Sequence, residues 1–299
     1  VTMCAANQYK GEFDIQRLPV NSEEHLFNDW VIKYKKSHIL HSICASVDKC
    51  NDPSQEPCLL CLYTRTLDIP HLPEMVFPNN ILTLIHASGV QIEFNALDAL
   101  KTVANGKLSI KVAYSEEWNE TRSPEHLSQK IKPFDWTFSN DYKGTITGPV
   151  KITPTEERID IEKLKEKEKI LFYQELMLYE DELHDNGISS CTIKIRVMPS
   201  SFFILLRFFL RVDNVMLRVN DTRLYHDFTT NYILREFTNK ECAFGDVQLP
   251  LNVFGNPNVL SPHMPIRTAI YEKLVFGHSD PPNEGIDGFI AKQSTSKVD

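Results

Sequence analysis

The stretch from Ser201 to Val212 sets the terms for the residues around it. Its centre, Phe202 to Leu210, reads Phe-Phe-Ile-Leu-Leu-Arg-Phe-Phe-Leu, nine residues broken only by Arg207. A helix that crosses a bilayer needs about 20 apolar residues, so this run is too short to span one and has to be buried in protein. It is also too continuously apolar for a strand with one wet face. The pattern predicts a strand covered on both faces. Asp213-Asn214 and a second apolar run, Val215 to Val219, follow at once, which predicts a β-hairpin through a two-residue Asp-Asn turn.

The neighbouring segments extend this pattern. Ile193, Ile195 and Val197 alternate with Lys194 and Arg196, and Asn231 to Phe237 reads as a further strand. Upstream, Asp29 to Tyr34, Ile81 to Ile85, Gln91 to Phe94 and Leu108 to Tyr114 carry strand signals. Three helices are predicted. One opens at Asn95, with Asp98 completing a capping box, and ends at Asn105-Gly106. A second runs from Asp160 to Glu182, with Ile161, Leu164, Phe172, Leu176, Tyr179 and Leu183 on one stripe and Gly187 as its stop. A terminal helix starts at Pro265 and places Ile266, Ala269, Ile270 and Leu274 on one face before Gly277. Hairpin-linked strands grouped between helices give an α+β fold built on a central antiparallel sheet.

Function is constrained first by charge. The 299 residues carry a formal net charge of −8 with no basic run, which removes the electrostatic footprint of a nucleic-acid binder. The opening residues lack the charged start and apolar centre of a secretory signal, and seven cysteines read as mostly reduced thiols. The expectation is a cytoplasmic protein, also present in the nucleus, with no membrane partner.

There is no Gly-rich phosphate loop, nucleophile elbow or zinc-protease helix. His184-Asp185 and His226-Asp227 are the only His-Asp neighbours, and they read as surface or capping residues rather than a catalytic pair. Glu116-Glu117 and Glu180-Asp181-Glu182 read as solvated charge. No cofactor is expected. The segment from Ile43 to Leu62 concentrates four cysteines. Cys58-x-x-Cys61 is half of a zinc knuckle, and Cys44 and Cys50 would complete four thiolates. Five residues rather than two to four separate the first pair, so the segment is read as a cysteine-bearing surface loop and no metal ligand is assigned. Asn220 to His226 leaves the hairpin with Asp221, Arg223 and Tyr225 together. That is either a peptide-binding surface, where a planar guanidinium meets a carboxylate, or an internal Asp221–Arg223 pair.

Several blocks decide between readings of this kind. They are Leu176 to Gly187 (Leu-Met-Leu-Tyr-Glu-Asp-Glu-Leu-His-Asp-Asn-Gly), Lys194 to Phe203, Leu206 to Arg211 and Asn220 to His226. Ile92 to Ala96, Glu116 to Trp118, Asp135 to Thr137 and Asp141 to Thr145 agree with them. Together they resemble the TOR signalling pathway regulator-like (TIPRL) family over residues 27 to 277. The resemblance implies one domain over 27–277, after a poorly ordered 1–26; turn formers mark 44–62 as a loop insertion within it, and composition marks 278–299 as a disordered tail. The resemblance also implies a sheet with an N-terminal α/β region on one side, a peptide-binding cleft on the other and a C-terminal helix.

The implied function is non-enzymatic. A monomer binds the catalytic subunits of type 2A, type 4 and type 6 protein phosphatases, inhibits or recycles them in TOR-linked signalling, and accepts their C-terminal tail, an aromatic-Leu end with a free carboxylate. The alternative is a general adaptor or assembly chaperone for short C-terminal peptides. Captured C-termini need cationic groups beside an apolar pocket, so Arg196 or Arg223 is expected on the carboxylate, with Trp136 and Tyr225 as walls. Matching positions add Asp98, Ile159 and Asp221 as partner-binding or supporting residues, with capping of its own helix as the other role open to Asp98. Val219 stands where family members carry Met. Residues from about 51 to 62 depart from the family pattern.

Overall fold

A computed structural model describes residues 20–44, 46–69, 71–103, 138–165 and 168–277. In chain order its strands begin with β1 (Asn21–Phe27), β2 (Trp30–Lys36), β3 (Met75–Val76), β4 (Ile81–His86), β5 (Gln91–Phe94), β6 (Thr145–Thr147) and β7 (Val150–Pro154). They continue with β8 (Phe172–Asp181), β9 (Gly187–Val197), β10 (Ser201–Val212), β11 (Met216–Asp227), β12 (Tyr232–Ala243) and β13 (Ile266–Phe276). The helices are short: α1 (Val47–Asn51), α2 (Leu59–Thr66), α3 (Ala96–Lys101), α4 (Ile161–Lys165) and α5 (Pro257–Leu260). None of the described helices is long and apolar enough to cross a membrane.

The strands form a five-stranded sheet, β1-β2-β4-β5-β6, and an eight-stranded sheet, β3-β8-β9-β10-β11-β12-β13-β7, with every pairing antiparallel. The α+β reading therefore holds. One core joins the two sheets. Trp30 of β2 meets Phe202 of β10 edge-on at 5.3 Å between ring centres and Phe276 of β13 at 5.6 Å. Phe202, Ile204, Leu206 and Phe208 of β10 all enter this core.

On the opposite face of β10 the cover is uneven. Phe203 and Leu205 are only half-buried, whereas Phe209 enters a second, smaller core with Leu217, Val219, Cys242, Phe254 and Leu260. The expectation of full cover on both faces thus holds for one face and for part of the other. The hairpin closes through three residues rather than two, with Val212 paired to Met216 and Asn214 in the left-handed region at φ 59°.

Three assignments are corrected. The long helix predicted from Asp160 to Glu182 is one turn of helix, α4, followed by β8. A bulge between Met177 and Tyr179 shifts the phase of β8, so Leu176, Leu178, Tyr179 and Asp181 all point inward. That phase shift turns a two-residue period into the three- and four-residue spacing that imitates a helical stripe. The helix expected at Pro265 to Leu274 is β13. Four-residue spacing satisfies both periodicities, and the C-terminal helical region lies just upstream, in residues 244–263, around α5.

Thirdly, residues 44–62 are not a plain loop but carry α1 and most of α2. The N-terminal boundary also moves, because Asn21–Phe27 pairs with β2 along its whole length. The strand expected at Leu108 to Tyr114 and the tail from 278 onward lie outside the described residues.

Candidate functional site

Register alone lines up a set of chemistry-bearing side chains on the outer face of the large sheet. Cross-strand partners share a face, and here three successive rows run across β9, β10, β11 and β12. The first is Arg196, Phe203, Tyr225 and Leu234; the second Lys194, Leu205, Arg223 and Glu236; the third Thr192, Arg207, Asp221 and Thr238. Beyond them, Phe209 and Val219 pass under the 244–264 segment into the second core.

The third row holds a buried ion pair. Arg207 approaches Asp221 with both arms of its guanidinium, Nε donating to Oδ1 at 2.6 Å and Nη2 to Oδ2 at 2.8 Å. Its Nη1 donates to Asn258 Oδ1 at 2.7 Å, just inside α5. Arg223 Nη2 donates to the same Asp221 Oδ2 at 3.0 Å. One carboxylate thus serves two guanidiniums, and the trio is left with one net positive charge.

Arg196, Phe203 and Arg223 of the first two rows form the floor of a groove. Residues 155–165 cross its edge, pinned where the buried Ile159 N–H donates to Glu236 Oε1 at 2.8 Å and where the Arg158 guanidinium lies 3.4 Å from the centre of the Tyr271 ring. Asp160 accepts from the Lys163 N–H at 3.0 Å, a capping bond that starts α4. The result is a groove of about 670 Å³ lined by Ile161, Leu164, Ile170, Phe203, Arg196 and Arg223, among others. A small recess that shares Leu164, Ile170 and Arg196 ends on Tyr225. The Arg196 guanidinium sits 5.3 Å from the centre of the Phe203 ring, and among the described residues no carboxylate pairs with it. A half-exposed guanidinium between apolar walls, beside a trio with surplus positive charge, is suited to a ligand with an apolar body and an anionic end. A second cavity, of about 420 Å³ between α2 and residues 67–76, has no lysine or arginine in its lining.

The TIP41-like family model matches residues 75–248, which include every strand of this groove. The chain belongs to the TIP41-like family. Members of the family span a wide range of organisms. A TIP41-like protein of Homo sapiens is 47% identical over 262 residues, 86% of this chain and 91% of that protein. One from Arabidopsis thaliana is 35% identical over 274 residues, covering 83% of this chain and 89% of the relative. The type 2A phosphatase activator TIP41 of Saccharomyces cerevisiae is 38% identical over 238 residues, 74% of this chain and 63% of that protein.

Of the residues singled out in the sequence of this TIP41-like chain, Arg196, Arg223 and Tyr225 come together at the groove. Asp221 lies beneath it as a buried counter-ion, bonded to both Arg207 and Arg223. Ile159 is a buried anchor of the groove's edge, and Val219 is a core residue under the 244–264 segment. Asp98 belongs to the five-stranded layer. Its backbone N–H donates to Asn95 Oδ1 at 2.8 Å, the bond by which Asn95 caps α3, and its Oδ2 accepts from Thr145 at 2.6 Å. Burial raises its carboxyl pKa, but the bonds from Thr145, Lys101 and Asn95 outweigh that and hold it below the ordinary value. Trp136 lies outside the described residues. Sequence reasoning missed Arg207 as a partner and Phe203, Ile161, Leu164 and Ile170 as walls. A charge inside an apolar run needs a counter-ion, and Arg207 in Phe202 to Leu210 was the signal that a buried carboxylate had to be found.

Proposed function

We propose that this TIP41-like protein is a non-enzymatic regulator of type 2A-family protein phosphatases. It binds their catalytic subunits and seats the free C-terminal tail in the Arg196–Arg223 groove. The observation that carries the reading is the pairing, in one groove, of an unneutralised guanidinium with apolar walls. The terminal carboxylate is received by Arg196, with Arg223 adding positive charge from the floor, while the aromatic and Leu side chains of the tail pack on Ile161, Leu164 and Phe203. The yeast relative's name supports phosphatase regulation. Whether the outcome is inhibition, recycling or activation is decided by the sign of the activity change. The same groove serves the type 4 and type 6 enzymes, and the protein acts as a monomer in the cytoplasm within TOR-linked signalling.

The test is capture of purified type 2A catalytic subunit by the immobilised full chain, wild type beside Arg196→Ala and Arg223→Ala, with folding checked by circular dichroism. The expected result is capture by wild type and at least about a tenfold loss of affinity, about 1.4 kcal/mol, in Arg196→Ala. Full capture by both folded variants overturns the groove as the site. Failure of the wild type to capture any catalytic subunit overturns phosphatase binding itself.

A further inference from the structure

The four cysteines between residues 44 and 61 lie outside the stretch matched to the family, and the fold brings them to one point. Cys50 sits in the last turn of α1, Cys58 at the N-cap position of α2, Cys61 within its first turn, and Cys44 just ahead of α1. Their four Sγ atoms all lie within 4.8 Å of one another. The Cys44–Cys50 sulfur separation is 3.5 Å and the Cys44–Cys58 separation 3.8 Å. A tetrahedral zinc with Zn–S bonds of about 2.3 Å places its sulfurs about 3.8 Å apart, 1.63 bond lengths. A disulfide requires about 2.05 Å, and all four thiols are free. The Cys58 backbone N–H donates to Cys50 Sγ at 3.3 Å, the kind of outer hydrogen bond that orients a thiolate ligand.

The spacing that counted against a metal in the sequence has a structural explanation. Cys44-x5-Cys50 is wider than a knuckle turn because the chain enters α1 after Cys44 and the helix itself carries Cys50 back to Cys44. Apart from the sulfurs, the two helices are tied by an exposed hydrogen bond from Arg65 Nη2 to Asn51 Oδ1 at 2.9 Å. Helices of five and eight residues are far below the length that is stable in isolation. Among the described residues of 44–62 the only buried side chain is Cys50 itself, while Val47, Leu59 and Leu62 face outward. Attachment to the main core begins only at Tyr63 and Leu67. A small unit without an apolar core is typically held by a metal or by disulfides, and the sulfur separations fit the metal.

We propose that Cys44, Cys50, Cys58 and Cys61 are the four ligands of a structural zinc ion that fixes the α1–α2 segment. Four soft thiolates converging on one centre select zinc over hard cations such as calcium or magnesium. Binding converts four thiols to thiolates and releases four protons to solvent for each Zn²⁺ taken up, with no change of oxidation state. All four coordination positions are filled by protein, so the ion is structural and not catalytic.

The experiment is elemental analysis of the full chain purified in reducing buffer and reconstituted with zinc chloride, then desalted. The expected content is about one zinc per chain in wild type and in Cys242→Ala, which alters a cysteine of the second core, and less than about a fifth of that in the Cys58→Ser/Cys61→Ser double variant. In parallel, cobalt(II) added to the reduced, metal-free wild type should give the intense visible bands and sulfur-to-metal charge transfer of a tetrahedral thiolate site. This readout does not depend on how well the double variant folds. Wild type that keeps no zinc and shows no such cobalt bands overturns the proposal. So does a double variant that retains its zinc.

Discussion

Replacing Asp221 by Asn isolates what the buried pair beneath the groove contributes. Asp221 is 1% exposed and Arg207 8%, so neither can recover its lost partner through water. The substitution removes the negative charge and turns one of the two acceptor oxygens into an amide that faces guanidinium donors. Arg207 is then left with Asn258 and the single retained amide oxygen as its acceptors, both uncharged. Removing one member of a buried pair costs about 3–5 kcal/mol, most of it the penalty of the stranded charge. The retained amide oxygen returns about 1 kcal/mol through one hydrogen bond, which leaves a loss of about 3 kcal/mol. With a urea dependence of about 3 kcal/mol per molar, the unfolding midpoint falls by about 1 M. The double replacement Arg207→Met/Asp221→Leu removes both charges together and should recover most of the loss; the cycle with the single variants gives the coupling energy. An Asp221→Asn protein within about 1 kcal/mol of wild type would refute the reasoning, because it would mean that the Arg207 charge is not stranded.

Three further outcomes follow from the geometry. His226 is 2% exposed, its Nδ1–H donates to the Tyr232 carbonyl at 2.8 Å, and burial among Trp30, Phe202, Phe228 and Phe276 pushes its pKa down from 6.5 to about 4. A depressed histidine contributes stability that is complete above pH 6.5 and lost as pH falls through about 4. Urea midpoints should therefore show a loss of about 3 kcal/mol across that window, and His226→Gln should flatten it. Gly187 holds φ +149°, and an added Cβ would stand 1.8 Å from the Arg211 carbonyl oxygen, so Gly187→Ala should cost about 2–3 kcal/mol and lower the melting temperature by several degrees. Arg196→Ala removes a half-exposed group with no ion pair among the described residues, and a denaturation series should place it within about 0.5 kcal/mol of wild type.

The large sheet was readable where side-chain alternation is undisturbed. Ile193, Ile195 and Val197, the β10–β11 hairpin and Tyr232 to Phe237 all declare themselves by period and turn chemistry. It was unreadable where the period breaks. The bulge at Met177/Tyr179 disguised β8 as a helix, and the four-residue spacing of Ile266, Ile270 and Leu274 fits a helix and a strand equally well. Arg196, Arg223 and Tyr225 were nominated as a carboxylate reader from the family resemblance together with their residue types, and register places them on one face. For Asp221 the internal pair with Arg223, one of the two readings left open, is present at 3.0 Å; its burial depends also on Arg207 fourteen residues earlier, a distance no local pattern spans. The cysteine cluster was visible as a list of residues, but its convergence depends on α1 carrying Cys50 back to Cys44.

The central claim, that the groove reads a free C-terminal carboxylate, is tested most directly by calorimetric titration of a phosphatase tail peptide ending in aromatic-Leu. The free-carboxylate peptide is compared with its methyl ester, on wild type and on Arg196→Ala. Esterification removes a charge-assisted bond, so the ester should bind wild type more weakly by about 1.5–3 kcal/mol, roughly 10- to 150-fold. The difference should shrink toward zero in Arg196→Ala. Equal affinity of the two peptides for wild type, or an undiminished preference in Arg196→Ala, would contradict the account.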